Sequence, residues 1–181
     1  PATVVRRMME GLRSGIEGSP GVVGDKKSRY VHFLDDITTV FPGCRLFVCL
    51  RDEWDTVASF MDSDWWLDSH SELSREALVE KSLRSVRSAQ SSVERVMRGH
   101  DIFVLQFEDM AAAPEETLRS LFEHLGLDPD RFDYEHALER THYGEAVGHW
   151  QRVPEVVTLR ERMENQDCLT LSGLTTGESG R

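Results

Sequence analysis

Arg51 and Ser59 are the residues whose types and spacing can do chemistry. Arg51 follows directly on the apolar run Leu46-Phe47-Val48-Cys49-Leu50, which is rich in strand formers and predicts a buried strand of a parallel sheet over 45–50. In open α/β sheets ligands sit outside the carboxyl ends of the strands, so an arginine there is aimed at the crevice. Its planar guanidinium suits a phosphate. Asp52 predicts the N-cap of a helix, and Asp55 in its first turn sets negative charge against the positive end of the dipole. Trp54, Val57, Ala58 and Met61 fall at i, i+3, i+4 and i+7 and form one apolar stripe, leaving Asp52, Thr56 and Ser59 on the other face. Ser59 lies eight residues beyond Arg51, a little over two turns, so its hydroxyl meets the same anion if that face borders the crevice. The plainer alternative is a strand-end Arg-Asp pair and a mid-helix serine with no ligand.

A second cationic group precedes this pair. Gly24-Asp25-Lys26-Lys27-Ser28 resembles a phosphate-binding loop at first sight, but a Walker A loop needs four residues between its glycines and a lysine directly after the second. Val22-Val23 instead predicts a strand with Asp25 and Lys26 at its carboxyl end. Lys26 and Lys27 then face the same crevice as Arg51, or one of them faces water.

The elements that must position these groups follow from periodicity. Tyr30, Val31, Phe33, Leu34, Ile37, Val40 and Phe41 predict a helix over 29–41, closed by Pro42-Gly43. Residues 63–71 predict a polar loop in which Trp65 and Trp66 either line a substrate mouth or pack as a lid on the core. Residues 76–98 predict a long amphipathic helix with Leu83, Val86, Val93, Val96 and Met97 as its core stripe. Ile102 to Phe107 predicts a second buried strand, and Pro114 starts a helix that Gly126 stops. A helix is expected over 132–140, irregular chain over 143–154, a short helix over 4–12 with Gly11, Gly15 and Gly18 ending it, and a turn at Ser19-Pro20-Gly21. The expected organisation is a single α/β domain over 1–166, a parallel sheet flanked by helices, with a flexible tail over 167–181.

Composition bounds the partners. The chain has 181 residues, 39% of them hydrophobic, which suits one domain with a sizeable core. Its net charge of −11 argues against a nucleic-acid-binding surface. Residues 1–51 hold eight Lys/Arg against five Asp/Glu, whereas the remainder holds thirteen against twenty-seven. A basic island of this kind fits a small anion, the alternative being a solvated surface of uneven charge. Cys44, Cys49 and Cys168 form no metal-ligand pattern with the seven histidines, and Cys44 and Cys49 are expected to be buried, inert thiols in a reducing compartment. No apolar segment is long enough to span a bilayer, so a soluble, cytoplasmic protein with no membrane partner is expected.

Four blocks, in order, resemble the sulfotransferase family that uses 3'-phosphoadenosine-5'-phosphosulfate (PAPS). Gly24-Asp25-Lys26-Lys27-Ser28-Arg29-Tyr30 is similar to G-D-K-T-P-x-Y, and Phe41-Pro42 through Arg51-Asp52 to Ser59 is similar to F-P…V-R-D-P…S. Phe107-Glu108-Asp109-Met110 with 114–127 resembles Y-E-D-L…P…L-x-x-L-x-x-F-L-G-L, and Val147-Gly148-His149-Trp150 resembles a late V-G-x-W loop. The resemblance implies a P-loop-kinase-like α/β fold. Arg51 and Ser59 would hold the 3'-phosphate and Phe107 would lie against the adenine. Lys26 would stand near the transferring sulfonyl group, where a cation stabilises charge on the bridging oxygen. It implies transfer to a hydroxyl or amine of a small-molecule or glycan acceptor, by in-line displacement without a metal.

The departures from the family are specific. Tyr143, Gly144 and Glu145 stand where cytosolic relatives carry basic residues, leaving His142 or Arg152 as the substitute. No histidine sits in the Lys26 block to act as general base. The family's 5'-phosphosulfate loop, which should precede Gly24, is absent. The chain is therefore expected to be the C-terminal two-thirds of an enzyme, inactive alone, whose strands at 46 and 102 lack a shared neighbour and carry unpaired backbone groups. Two other functions fit the same features: a P-loop small-molecule kinase, with Asp52 as its magnesium-holding carboxylate, and a non-catalytic binding domain that kept the fold.

Overall fold

The computed structural model describes residues 22, 24–139 and 146–174, with side chains through 166. The expected helix over 4–12, the turn at 19–21, Val23, and the segment from His142 to Glu145 lie outside the described residues.

Two five-residue strands pair in parallel, β1 (Leu46–Leu50) with β2 (Ile102–Gln106), in the register Leu46↔Ile102 to Leu50↔Gln106. Among the described residues no third strand stands between them as a shared neighbour; the backbone groups expected to be unpaired there are instead satisfied by direct hydrogen bonding of β1 to β2. Among the described residues Val22 forms no strand and is 58% exposed, so the predicted third strand at 22–23 is not seen there.

Eight α-helices surround the pair in the described residues: α1 (Leu34–Val40), α2 (Glu53–Met61), α3 (Asp64–Asp68), α4 (Arg75–Met97), α5 (Phe107–Ala112), α6 (Pro114–Leu125), α7 (Tyr134–Leu138) and α8 (Pro154–Leu174). Short 3-10 helices cover Ser28–His32, Pro129–Arg131 and His149–Arg152. The continuous helix expected over 29–41 is broken at Phe33, where the backbone leaves helical angles between a 3-10 turn and α1. The predicted polar loop over 63–71 contains α3, and among the described residues the helix expected over 132–140 is α7. Among the described residues, no helix is long and apolar enough to cross a membrane.

Side-chain alternation puts Leu46, Val48 and Leu50 of β1 with Ile102 of β2 against Leu34 of α1 and Val93 and Val96 of α4. On the other face Phe103 and Leu105 of β2 pack against Met110 of α5 and Leu121 of α6. On the same face of β1, Phe47 is 43% exposed and Cys49 is exposed as well. Strand β1 is thus half-buried rather than buried, and Cys44 and Cys49 are exposed, not inert core thiols. The largest cluster lies beside the sheet: Trp54, Val57, Ala58 and Met61 of α2 meet Trp66, Leu78, Val79, Leu83 and Val86, with Val153, Val156 and Leu159 closing it. Met97, expected in the stripe of α4, is 45% exposed at the helix end.

Candidate functional site

The register that ends at Leu50↔Gln106 brings the two strand exits side by side, and the contacts there follow from it. Arg51 lays its guanidinium over the Phe107 ring, 5.0 Å from the centroid. The backbone N–H of Asp52 donates to Glu108 Oε1 at 2.9 Å. Asp52 also caps α2 as predicted: its Oδ1 accepts from the N–H groups of Trp54 and Asp55, each at 2.9 Å. The cap uses one oxygen of that carboxylate.

Arg51 is half-buried. One terminal nitrogen donates to the carbonyl of Ala146, while Nε is buried with no hydrogen-bond partner among the described residues. A buried cationic donor without an acceptor costs free energy on the order of 1–3 kcal/mol. The loop that supplies Ala146 is held by α2. Asp55 is 1% exposed, and its two oxygens accept from Gly148 N at 2.8 Å and Trp150 N at 2.9 Å. Two turns on, Asp62 Oδ2 contacts His149 Nε2 at 2.6 Å. Gly148 permits the turn, with φ of +73°.

Among the other predicted site residues, Lys26 and Ser59 are exposed. The backbone N–H of Lys26 donates to Asp25 Oδ1 at 2.8 Å, and the other oxygen of Asp25 accepts from the Tyr30 hydroxyl. Lys26 lies close enough to the sheet to act on Cys49. Partial burial pushes that thiol up, Glu108 adds to the effect, and the Lys26 ammonium opposes it. Arg51, Phe107 and Glu108 thus share one end of the sheet, next to Cys49 near the end of β1. Among the described residues no hydrogen bond joins Ser59 or Arg152 to Arg51; Arg152 is exposed at the end of the last 3-10 helix. A cavity of about 660 Å³ opens at the opposite end of the strands, lined by Arg45, Leu46, His100, Asp101 and His124 among others, and none of the predicted site residues lines it.

The tryptophan pair divides its roles. Trp66 is buried, stacks on Phe60 at 4.6 Å and donates to Ser82 Oγ at 3.0 Å, whereas Trp65 is 63% exposed. Sequence reasoning missed Asp55 as a loop anchor, together with Glu108 and the Asp62–His149 pair. One signal was present: Asp55 sits between Trp54 and Val57 and three residues before Ala58, so a charge lies on the apolar stripe.

The chain is thus an α/β protein, a small parallel sheet flanked by helices, whose two strand exits set Arg51 against Phe107. The family model described as the sulfotransferase family matches residues 2–134, and this chain belongs to that family. Membership supports sulfotransfer in general as its activity. The comparisons with curated proteins and with solved structures find no match. Among the described residues, no group of three or more His, Cys, Asp or Glu is arranged to hold a metal ion.

Proposed function

We propose that the chain supplies the nucleotide-phosphate contacts of a cytoplasmic sulfotransferase that moves a sulfonyl group from PAPS to a hydroxyl or amine of a small-molecule or glycan acceptor. The observation that carries this reading is Arg51: a guanidinium at a strand exit, lying over an aromatic ring, with one terminal nitrogen held by the Ala146 carbonyl. In this reading Arg51 donates to the 3'-phosphate, and the exposed Ser59 hydroxyl adds a second donor from α2. Phe107 offers its ring to the adenine, and Arg152 supplies a further positive charge from the loop after Gly148. Lys26 stands by the bond that breaks. As the acceptor attacks sulfur and the bridging oxygen leaves with the bisphosphate, the ammonium stabilises the charge that gathers on that oxygen.

The test is calorimetry on the complete natural protein with adenosine 3',5'-bisphosphate as titrant. Arg51→Ala should weaken binding by about 1.5–3 kcal/mol, the size of a hydrogen bond to a charged group, and Ser59→Ala by about 1 kcal/mol. Binding of ATP with magnesium but not of the bisphosphate would overturn the donor assignment, and unchanged affinity in both variants would remove the site.

A further inference from the structure

Asp55 is a carboxylate 1% exposed inside an apolar cluster, on the same helix face as Trp54, Ala58 and Met61. A charge in such a place is retained only if its lone pairs are used. Both oxygens are: Oδ2 takes the Gly148 N–H and Oδ1 takes the Trp150 N–H, across more than ninety residues of chain. Asp62, seven residues on and hence on the same face, reaches His149 between them. Helix α2 therefore grips three consecutive residues of one loop. Trp150 is held from its other side too, by the Arg160 guanidinium 4.1 Å over its ring. Two residues before Gly148, the carbonyl of Ala146 accepts from Arg51. The chain of contacts is continuous: Asp55 to Gly148, loop to Ala146, Ala146 to Arg51.

We infer that Asp55 is a positioning residue: by clamping the 146–150 loop through two backbone N–H groups, it holds the Ala146 carbonyl on one terminal nitrogen of Arg51 and so fixes the plane of the guanidinium, leaving its other terminal N–H groups for an incoming phosphate. The phosphate part rests on the function proposed above; the clamp does not. The division of labour follows from donor count. A guanidinium carries five N–H groups, and tying one to a protein carbonyl fixes its plane without using the remaining donors. Lost side-chain freedom on binding is thereby settled in advance.

Asp55→Asn keeps one acceptor but turns an amide donor against the other backbone N–H, so one grip is lost. In the ligand-free protein this variant should speed hydrogen exchange at the Gly148 and Trp150 amides by about tenfold or more, and should shift or broaden the Arg51 Nε–H resonance. Unchanged exchange with an unchanged Arg51 resonance would overturn the clamp. With adenosine 3',5'-bisphosphate as probe, Asp55→Asn should weaken binding about tenfold when Arg51 is present and less than about twofold in an Arg51→Ala background. Equal losses in both backgrounds would show that Asp55 does not act through Arg51. Gly148→Ala strains the same loop at its positive φ without touching the core, and should move the Arg51 resonance and the affinity in the same direction if Asp55→Asn fails to fold. If the wild-type protein does not bind the probe, the phosphate reading falls while the ligand-free resonances still decide the clamp.

Discussion

Ser82 is fully buried in the middle of α4, among Leu78, Val79, Leu83 and Val86, where an alanine would fit the stripe better. Its hydroxyl has two uses. It donates to the Leu78 carbonyl at 2.8 Å and accepts from Trp66 Nε1 at 3.0 Å. The indole N–H is the donor that matters, because the Leu78 carbonyl already lies within a helix. Ser82→Ala should therefore cost about 1–3 kcal/mol in urea unfolding by stranding that N–H. Adding Trp66→Phe should recover part of the loss, since the double variant has no buried donor left; a double variant no more stable than Ser82→Ala would argue against this account. The same logic marks what the sequence reveals about single residues. Arg51 was legible because its position at a strand exit is a local fact. The Asp55 grip on Gly148 and Trp150 was not, because the partners lie more than ninety residues away and only the fold brings them together. For Ser82 the long helix was readable, but Trp66 was expected in a polar loop, and the hydrogen bond between them depends on how α3 crosses α4.

At the scale of elements, α2 is the helix on which the site turns, and its start is tied in two directions. Asp52 caps it with two backbone hydrogen bonds, and the Asp52 N–H is itself taken by Glu108 at the start of α5. Asp52→Ala should cost about 1–2 kcal/mol in thermal or urea unfolding, while Asp52→Asn or Asp52→Ser, which also cap, should cost clearly less. Equal losses for all three would assign the effect to charge rather than to capping. This helix was legible in full because cap, first-turn acid and apolar stripe are all encoded within ten residues. The break at Phe33 and the half-buried state of β1 were not: an apolar run reads the same whether one face or both are covered, and only the partners decide. Nothing in the sequence analysis predicts α8, although Pro154 at its start and Val156, Leu159 and Met163 at helical spacing give it a signature. Gly126, read correctly as the stop of α6, sits at φ +67°, where an L side chain is strained, beside the far end of the exposed Arg45 side chain.

Across the whole molecule, α4 is the spine that joins the cluster under α2 to the cluster under the sheet, running about 34 Å at 1.5 Å per residue. Its polar face is stitched to three other helices by ion pairs: Arg87 with Glu53 of α2, Arg95 with Asp35 of α1, and Arg75 and Glu80 with Glu155 and Arg162 of α8. Most of these are exposed and individually small, on the order of 0–1 kcal/mol each. Arg75–Glu155 has a pH signature. The hydrogen bond from Arg75 holds the Glu155 carboxyl below its ordinary value of 4.5, helped by the backbone N–H at the start of α8. A carboxylate whose folded value is depressed contributes stability above its unfolded value and loses it as pH falls through the folded one. Between pH 7 and 5 the pair should therefore contribute a constant amount, at most about 1 kcal/mol given the half-exposed arginine. Below pH 4.5 that amount should decline. Thermal unfolding of the wild type and of Arg75→Met across pH 3–7 checks it: the gap between their midpoints should be flat from 7 to 5 and close toward zero on further acidification. A gap that persists at pH 3 would mean that Arg75 stabilises the α4–α8 contact through the packing of its aliphatic stem, not through the charge of Glu155.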